Sequence, residues 1–299
     1  MFFAVITAFL FAGSAICGRQ ATMRSGSLEA NFFRLVIATL SLGVLCLLFY
    51  RDSFSMPVFW WLTLSGFIGF GIGDVALYMA FARIGSRLTL LLNFCLATIF
   101  GIIGDWIWLG DSLTGKQGIA IAFILLGLAI ALLGRPPTGM DRHGSYSAGI
   151  IAGVIAAFGQ GFGSTISRHA QNVALELGVD RSGISDAFQR VIPGMLVGAI
   201  VLYLVRRRQK SSLRLSPVLL KHRAIPWMFG AAMFGPVIGV SCFQTALSVT
   251  PQSGIVLAIV STSPLILIPL GAIFEKDRPT VQTVIGAIIA TSAVVWLCL

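Results

Sequence analysis

Long apolar runs separated by short polar breaks organise this chain from end to end. The breaks divide its 299 residues into ten apolar segments, near 2–23, 30–50, 58–82, 88–109, 117–134, 147–167, 184–205, 224–249, 252–273 and 280–299. Each approaches the roughly 20 apolar residues a helix needs to cross a bilayer. Apolar residues are continuous within a run rather than alternating, which argues against the strands of a membrane barrel. Backbone in lipid must also satisfy its own hydrogen bonds, as a helix does. The pattern predicts an all-α integral membrane protein with ten transmembrane helices.

Composition points the same way. Of all residues 57% are hydrophobic and 11% charged, where a soluble protein carries roughly 25% charged residues. Too few polar side chains exist to cover a water-facing exterior. The net charge of +10 would suggest nucleic acid in a soluble protein. Here the basic residues fall between apolar runs, as Arg206, Arg207, Arg208 and Lys210 do, and read as topology signals and headgroup contacts. No nucleic-acid partner is expected.

The five cysteines (Cys17, Cys46, Cys95, Cys242 and Cys298) stand singly among apolar residues without CxxC spacing. They read as small buried hydrophobes. The opening MFFAVITAFLFAGSA offers small residues of a cleavage site but lacks a positive n-region, and it has a counterpart later in the chain. It reads as the first helix. A multi-pass protein of a bacterial inner membrane is the simplest reading.

The same landmarks occur twice. The second segment opens FFRLVIATLSLGVLCLLFY with Arg34, and the seventh opens AFQRVIPGMLVGAIVLYLV with Arg190, 156 residues later. SAICGRQA at the end of the first segment matches GSTISRHA at the end of the sixth, placing Arg19 on Arg168 at an offset of 149. WLGDSLT and FEKDRPT, after the fourth and ninth segments, pair Asp111 with Asp277 and Thr114 with Thr280 at an offset of 166. Two five-helix halves follow, 1–146 and 147–299. With an odd number of spans per half, the second copy enters the membrane from the opposite side. Inverted repeats of this kind are a common architecture of secondary transporters, because exchanging the conformations of two similar halves opens a central site to either side.

The Phe-Phe-Arg and Phe-x-Arg openings, the acidic-x-x-Thr turns, and the later Gln117 and Gly286 resemble the ten-helix, EamA-type branch of the drug/metabolite transporter superfamily. Two positions depart from its pattern: Ala12-Gly13 stands where members often carry Trp-Gly, and Asp111 where they usually carry Glu. The resemblance implies a secondary transporter, often an exporter of amino acids or other small metabolites. It also implies a cavity lined mainly by the first, third, fourth, sixth, eighth and ninth helices. Related carriers move lipid-linked sugars, so a flippase for such an amphiphile is the alternative. A monomer working on a small-molecule substrate in the bilayer is expected, without cofactor or metal.

Rival classes lack their chemistry. His143, His169 and His222 are far apart in or beside loops, no metal-ligand or nucleophile constellation appears, and no phosphate-binding loop is present. Neither a ring of charge nor a filter motif supports a channel.

Asp74, in GFGIGDVALYMAF, lies several residues inside the third segment with no cation near it in sequence. A carboxylate in lipid is costly, so it should face the bundle interior or a wet cavity. That makes it the candidate for proton coupling; the bland reading is a polar contact between helices. Candidate substrate contacts are Tyr78, Asn93, Gln160, Gln244, Ser261 and Thr262, neutral groups within spans expected to line the cavity. Each could instead be an interhelical hydrogen bond. Arg34 and Arg190 sit one turn into their helices, with Asp186 four residues before Arg190 as an i,i+4 partner. Inversion of the halves would place these two arginines near opposite membrane faces. Together with Arg19 and Arg168 they are gate residues or scaffold, the scaffold role being to snorkel and fix helix ends. The glycines at 66, 69, 71, 73, 159, 161 and 163 read as surfaces for close helix packing. Trp60, Trp61, Trp106 and Trp108 read as an interfacial belt. Pro193, Pro236, Pro264 and Pro269 all fall in the second half, which marks it as the more kinked and mobile.

Orientation is contested between two rules. The loops after odd-numbered segments hold 15 Lys and Arg, those after even-numbered segments 4, which by the positive-inside rule puts both termini outside. The family resemblance implies cytoplasmic termini.

Overall fold

The computed structural model describes residues 2–50, 53–109, 114–133, 146–208, 223–249, 253–274 and 279–298. Their regular structure is entirely helical. The elements are α1 (Phe2–Ser25), α2 (Ser27–Phe49), α3 (Met56–Gly66), α4 (Asp74–Leu109), α5 (Gly115–Leu133), α6 (Tyr146–Glu176) and α7 (Gly183–Arg208). There follow α8 (Ile225–Ala232), α9 (Ile238–Val249), α10 (Ser253–Val260), α11 (Ser263–Phe274) and α12 (Val281–Cys298). Wider π-helical turns, Phe67–Gly73 and Met233–Val237, join α3 to α4 and α8 to α9. Landmarks Asp111 and Asp277, with His143, Lys210 and His222, lie outside the described residues, as does the side chain of Gln117.

Among the described residues, six helical stretches are long and apolar enough to cross a membrane, and Gly118–Ala131, Ser263–Phe274 and Val281–Trp296 are shorter apolar helices. One of the six, Met56–Trp108, has 53 residues, more than twice what one crossing needs. Gly85 divides it. Its φ of 77° and ψ of 171° are open to glycine and strained for residues with a Cβ, so the chain leaves the helix there and begins a second limb. The two limbs correspond to the third and fourth apolar segments.

Burial follows lipid rather than water. Large apolar side chains such as Phe9, Leu40, Leu47 and Ile200 are exposed, while small ones such as Ala12, Ala21, Ala38 and Ala290 are fully buried. Lipid tails solvate leucine as well as a neighbouring helix does, so close packing of small residues is what holds helices together. Where α5 meets α12, a Cβ built on Gly127 would sit 2.5 Å from the Ala290 amide nitrogen. Gly159 of α6 approaches the first π turn so closely that its Cβ would lie 2.7 Å from the Gly73 Cα. α2 packs along α7, and α4 along α6.

Two segments differ from their expected form. The sixth, expected at 147–167, runs to Glu176, because its polar residues find partners instead of ending the helix. Arg168 donates to Asp105 at 3.2 Å, and His169 packs edge-on against Trp61, ring centroids 4.5 Å apart. The ninth is broken between α10 and α11, just ahead of Pro264, which has no N–H to give an intrahelical bond. Thr280 opens α12 by accepting the Thr283 amide at 3.2 Å, an N-cap bond that accounts for a threonine at the turn.

Candidate functional site

A cavity of about 640 Å³, counting its opening to solvent, is lined by residues of both π turns. Its wall takes Phe11 and Ser14 from α1, Arg34 from α2, Gly69 and Phe70 from the first π turn, and Asp74 and Tyr78 from α4. The second limb of α4 adds Asn93 and Phe94, α6 adds Gln160, α7 adds Arg190, and the other side is Gly235, Pro236, Val240 and Phe243.

The π turns shape this place. Such turns are rare and cluster at functional sites; here each one widens a helix beside the cavity. The second begins 166 residues after the first. At that offset Gly69 matches Gly235, Gly73 matches Gly239, Asp74 matches Val240 and Tyr78 matches Gln244. The first turn is opened by glycines and the second contains Pro236. The proline asymmetry therefore does not leave the first half unbroken: glycine performs the same interruption there.

Asp74 is in direct contact with Arg34, their side chains 14% and 5% exposed. Arg34 also donates to Asn31 Oδ1 at 3.0 Å, and its guanidinium carbon stands 4.9 Å from the Tyr78 ring centroid. Tyr78 is buried beneath it, and Gly18 leaves room for its hydroxyl, since a Cβ there would come within 2.9 Å. The second half lacks the acid. Arg190 lies over Phe70, 5.5 Å from the ring centroid, and Asp186 does not close the expected i,i+4 pair. It accepts instead from Arg181 Nε at 3.1 Å, because Arg181 at the helix entrance reaches it while Arg190 extends into the cavity.

The structure thus brings Asp74, Tyr78, Asn93, Gln160, Arg34 and Arg190 to one wall, and the two arginines do not lie at opposite faces. α2 packs along α7, and both arginines line the same cavity. Neither is a snorkelling anchor: Arg34 is 4% and Arg190 2% exposed. Arg19 and Arg168 stand apart from the cavity, Arg19 donating to the Phe81 carbonyl ahead of the Gly85 break and Arg168 to Asp105.

Three expected contacts fall elsewhere. Gln244, fully buried, donates to Ser167 Oγ at 3.0 Å, and Ser167 meets Ser65 Oγ at 3.1 Å, tying α9 to α6 and α3. Ser261 and Thr262 occupy the break between α10 and α11, where Thr262 donates to the Ile259 carbonyl at 2.6 Å and helps satisfy what the break frees. No described residue of α10 or α11 lines the cavity. The aromatic wall went unpredicted, because Phe11, Phe94 and Phe243 look like any other phenylalanine in an apolar run. A comparison of 66–81 with 232–247 would have exposed the matched glycines.

Among family models, the one described as EamA-like transporter family matches residues 1–133 and again 147–299. The chain belongs to the EamA-like transporter family. It is accordingly a multi-pass membrane transporter of the drug/metabolite type, and its helical fold agrees. Of the 28 solved chains that match, one titled only "Crystal structure of protein" is 15% identical, with a TM-score of 0.57 over 97% of this chain and 95% of that one. That likeness concerns the fold alone. No curated protein matches. Residues of both family-matched segments line the cavity.

Proposed function

We propose that this chain is a secondary active transporter of a small organic metabolite, working outward, as the family resemblance implies, by alternating access in a cell inner membrane. Ten crossings form two inverted halves, 1–146 and 147–299. The observation that carries this reading is the cavity set between two π-helical turns 166 residues apart in sequence. Broken helices at a central site let each half rock about fixed contacts, and exchange of the two bends would move the opening from one side to the other. The cavity's lining, largely apolar with a few placed polar groups, is of the kind that small-molecule sites show. Asp74 is the proton-coupling group: taking up a proton would release Arg34, and losing it would restore the ion pair.

Sided cysteine labelling tests alternation without knowledge of the cargo. Ser14→Cys, in a background without the native cysteines, places one thiol on the cavity wall in proteoliposomes. Labelling by an impermeant maleimide should occur from both sides, and a pH gradient should raise one rate while lowering the other. Reactivity from one side under every condition would refute alternating access. A flippase for a lipid-linked sugar or another amphiphile would alternate too, but would need such a lipid, rather than a soluble metabolite, to change the two rates.

A further inference from the structure

The charges of the cavity do not balance. Among the described residues, three charged side chains line it: Arg34, Asp74 and Arg190. Arg34 and Asp74 satisfy each other. Arg190 is 2% exposed, and among the described residues it makes no hydrogen bond or ion pair; its Nε is buried without a partner. The acids within electrostatic reach are Asp186 and Asp74, each already held by another arginine, Arg181 and Arg34. The position of the guanidinium is nevertheless built. Phe70 lies beneath it, and Gly69 and Gly163 clear its flank, since a Cβ on either would sit 3.3 Å and 3.5 Å from Nη2.

A buried, uncompensated cation is expensive, and a transporter whose cavity carries one holds a site for an anion. The planar fork of a guanidinium matches the two oxygens of a carboxylate. We propose that Arg190 docks the carboxylate of the cargo, and that the cargo is a small organic monoanion with an apolar or aromatic body. The charge count sets the valence. Two arginines and one aspartate leave +1, which a single negative charge closes. A zwitterion would bring an ammonium, and the one acid on the wall is engaged by Arg34. The remaining wall sets the body. Phe11 and Phe94 stack with centroids 5.6 Å apart and planes 3° apart, and Phe81 and Phe243 are buried against the same space. Asn93 and Gln160 are left to hydrogen-bond a substituent on the body.

The assignment rests on the transporter reading, which sided labelling decides without reference to any ligand. Its own test is binding to the full chain in phosphatidylcholine nanodiscs, where no lipid anion competes. Four probes share a phenyl body and differ in charge: hydrocinnamate, hydrocinnamyl alcohol, phenylalanine and phenethylamine. Hydrocinnamate should bind tightest, by roughly tenfold to a hundredfold over the alcohol, the range for hydrogen bonds to a charged group. Arg190→Gln should remove that preference, and Arg190→Lys, which keeps the charge without the fork, should restore part of it. The wild-type ranking decides by itself if a variant fails to fold. Alcohol, amine or amino acid binding as tightly as hydrocinnamate, no binding of hydrocinnamate, or an undiminished preference in a folded Arg190→Gln protein overturns the assignment.

Discussion

The Arg34–Asp74 pair supports a prediction whose size and asymmetry both follow from geometry. Removing one partner of a buried ion pair strands the other, at a cost of about 3–5 kcal/mol. With side chains 5% and 14% exposed, this pair is buried enough for that range, although the cavity moderates it. Asp74→Leu strands two cations, because Arg34 and Arg190 then share a wall without an acid, and it should cost about 3–5 kcal/mol. Arg34→Met strands one anion, and Arg190 already lies within electrostatic reach of Asp74. A new pair can form there, so this variant should cost about 2 kcal/mol less, close to the coupling seen for interacting residues. The double variant Arg34→Met/Asp74→Leu removes the charges together and should be more stable than Asp74→Leu alone. Reversible unfolding in mixed micelles would measure all three against the wild type. Additivity within about 0.5 kcal/mol, the tolerance for independent sites, would refute the coupling. Arg34→Met proving the more damaging single change would refute the role given to Arg190.

Two further predictions separate packing from binding. Gly159→Val should cost about 1–3 kcal/mol or more by overpacking, as its Cβ alone would meet Gly73 Cα at 2.7 Å and the Ile68 carbonyl oxygen at 2.8 Å; Gly118→Ala, with nothing within 4 Å of its Cβ, should be neutral or stabilising in the same unfolding assay. Gln244→Ala should cost about 1–3 kcal/mol by leaving Ser167 short of a partner in a buried network, yet leave hydrocinnamate affinity unchanged, since Gln244 lies outside the cavity wall.

Legibility in the sequence divided along a physical line. Apolar runs of membrane length and the twice-repeated Arg34/Arg190 landmark are properties of short stretches, and from them the helical class and the family resemblance could be read directly. What the sequence could not show is which polar groups meet. Asp74 and Arg34 are 40 residues apart and stand on different helices, so an aspartate without a sequence neighbour still had its cation. Asp186 was misassigned for the same reason: spacing of four favoured Arg190, while a residue beyond the helix start took the bond. Ser261 and Thr262 looked like a binding pair because a hydroxyl in an apolar run has two uses, and only the position of the helix break distinguishes them. Interruptions were half legible. Proline announces one, but the first π turn is made by glycines that equally well signal close packing, and here do both.

That the cavity has a free arginine at all follows from a repeated frame with unequal decoration. Each half supplies one arginine, Arg34 and Arg190, and one π turn. At the 166-residue offset that relates the two turns, Asp74 of the first half falls on Val240 of the second. If the proposed inversion relates the halves, Val240 should stand to Arg190 as Asp74 stands to Arg34, and both Val240 and Arg190 do line the cavity. Val240→Asp should then build the missing ion pair. The new carboxylate would satisfy the Arg190 guanidinium internally and bring the wall from +1 to neutral. The preference for hydrocinnamate over its alcohol should fall by roughly tenfold or more, the strength of a charged hydrogen bond. Folding should be tolerated, because Arg190 supplies a partner for the introduced acid. The companion Val240→Asn, similar in size but uncharged, should keep most of the preference, which removes steric blockage as an explanation. Equal loss in both variants would show that position 240 acts by shape alone. An unchanged preference in Val240→Asp would mean that the two halves do not superpose here, and that the pairing of Asp74 with Arg34 is particular to the first.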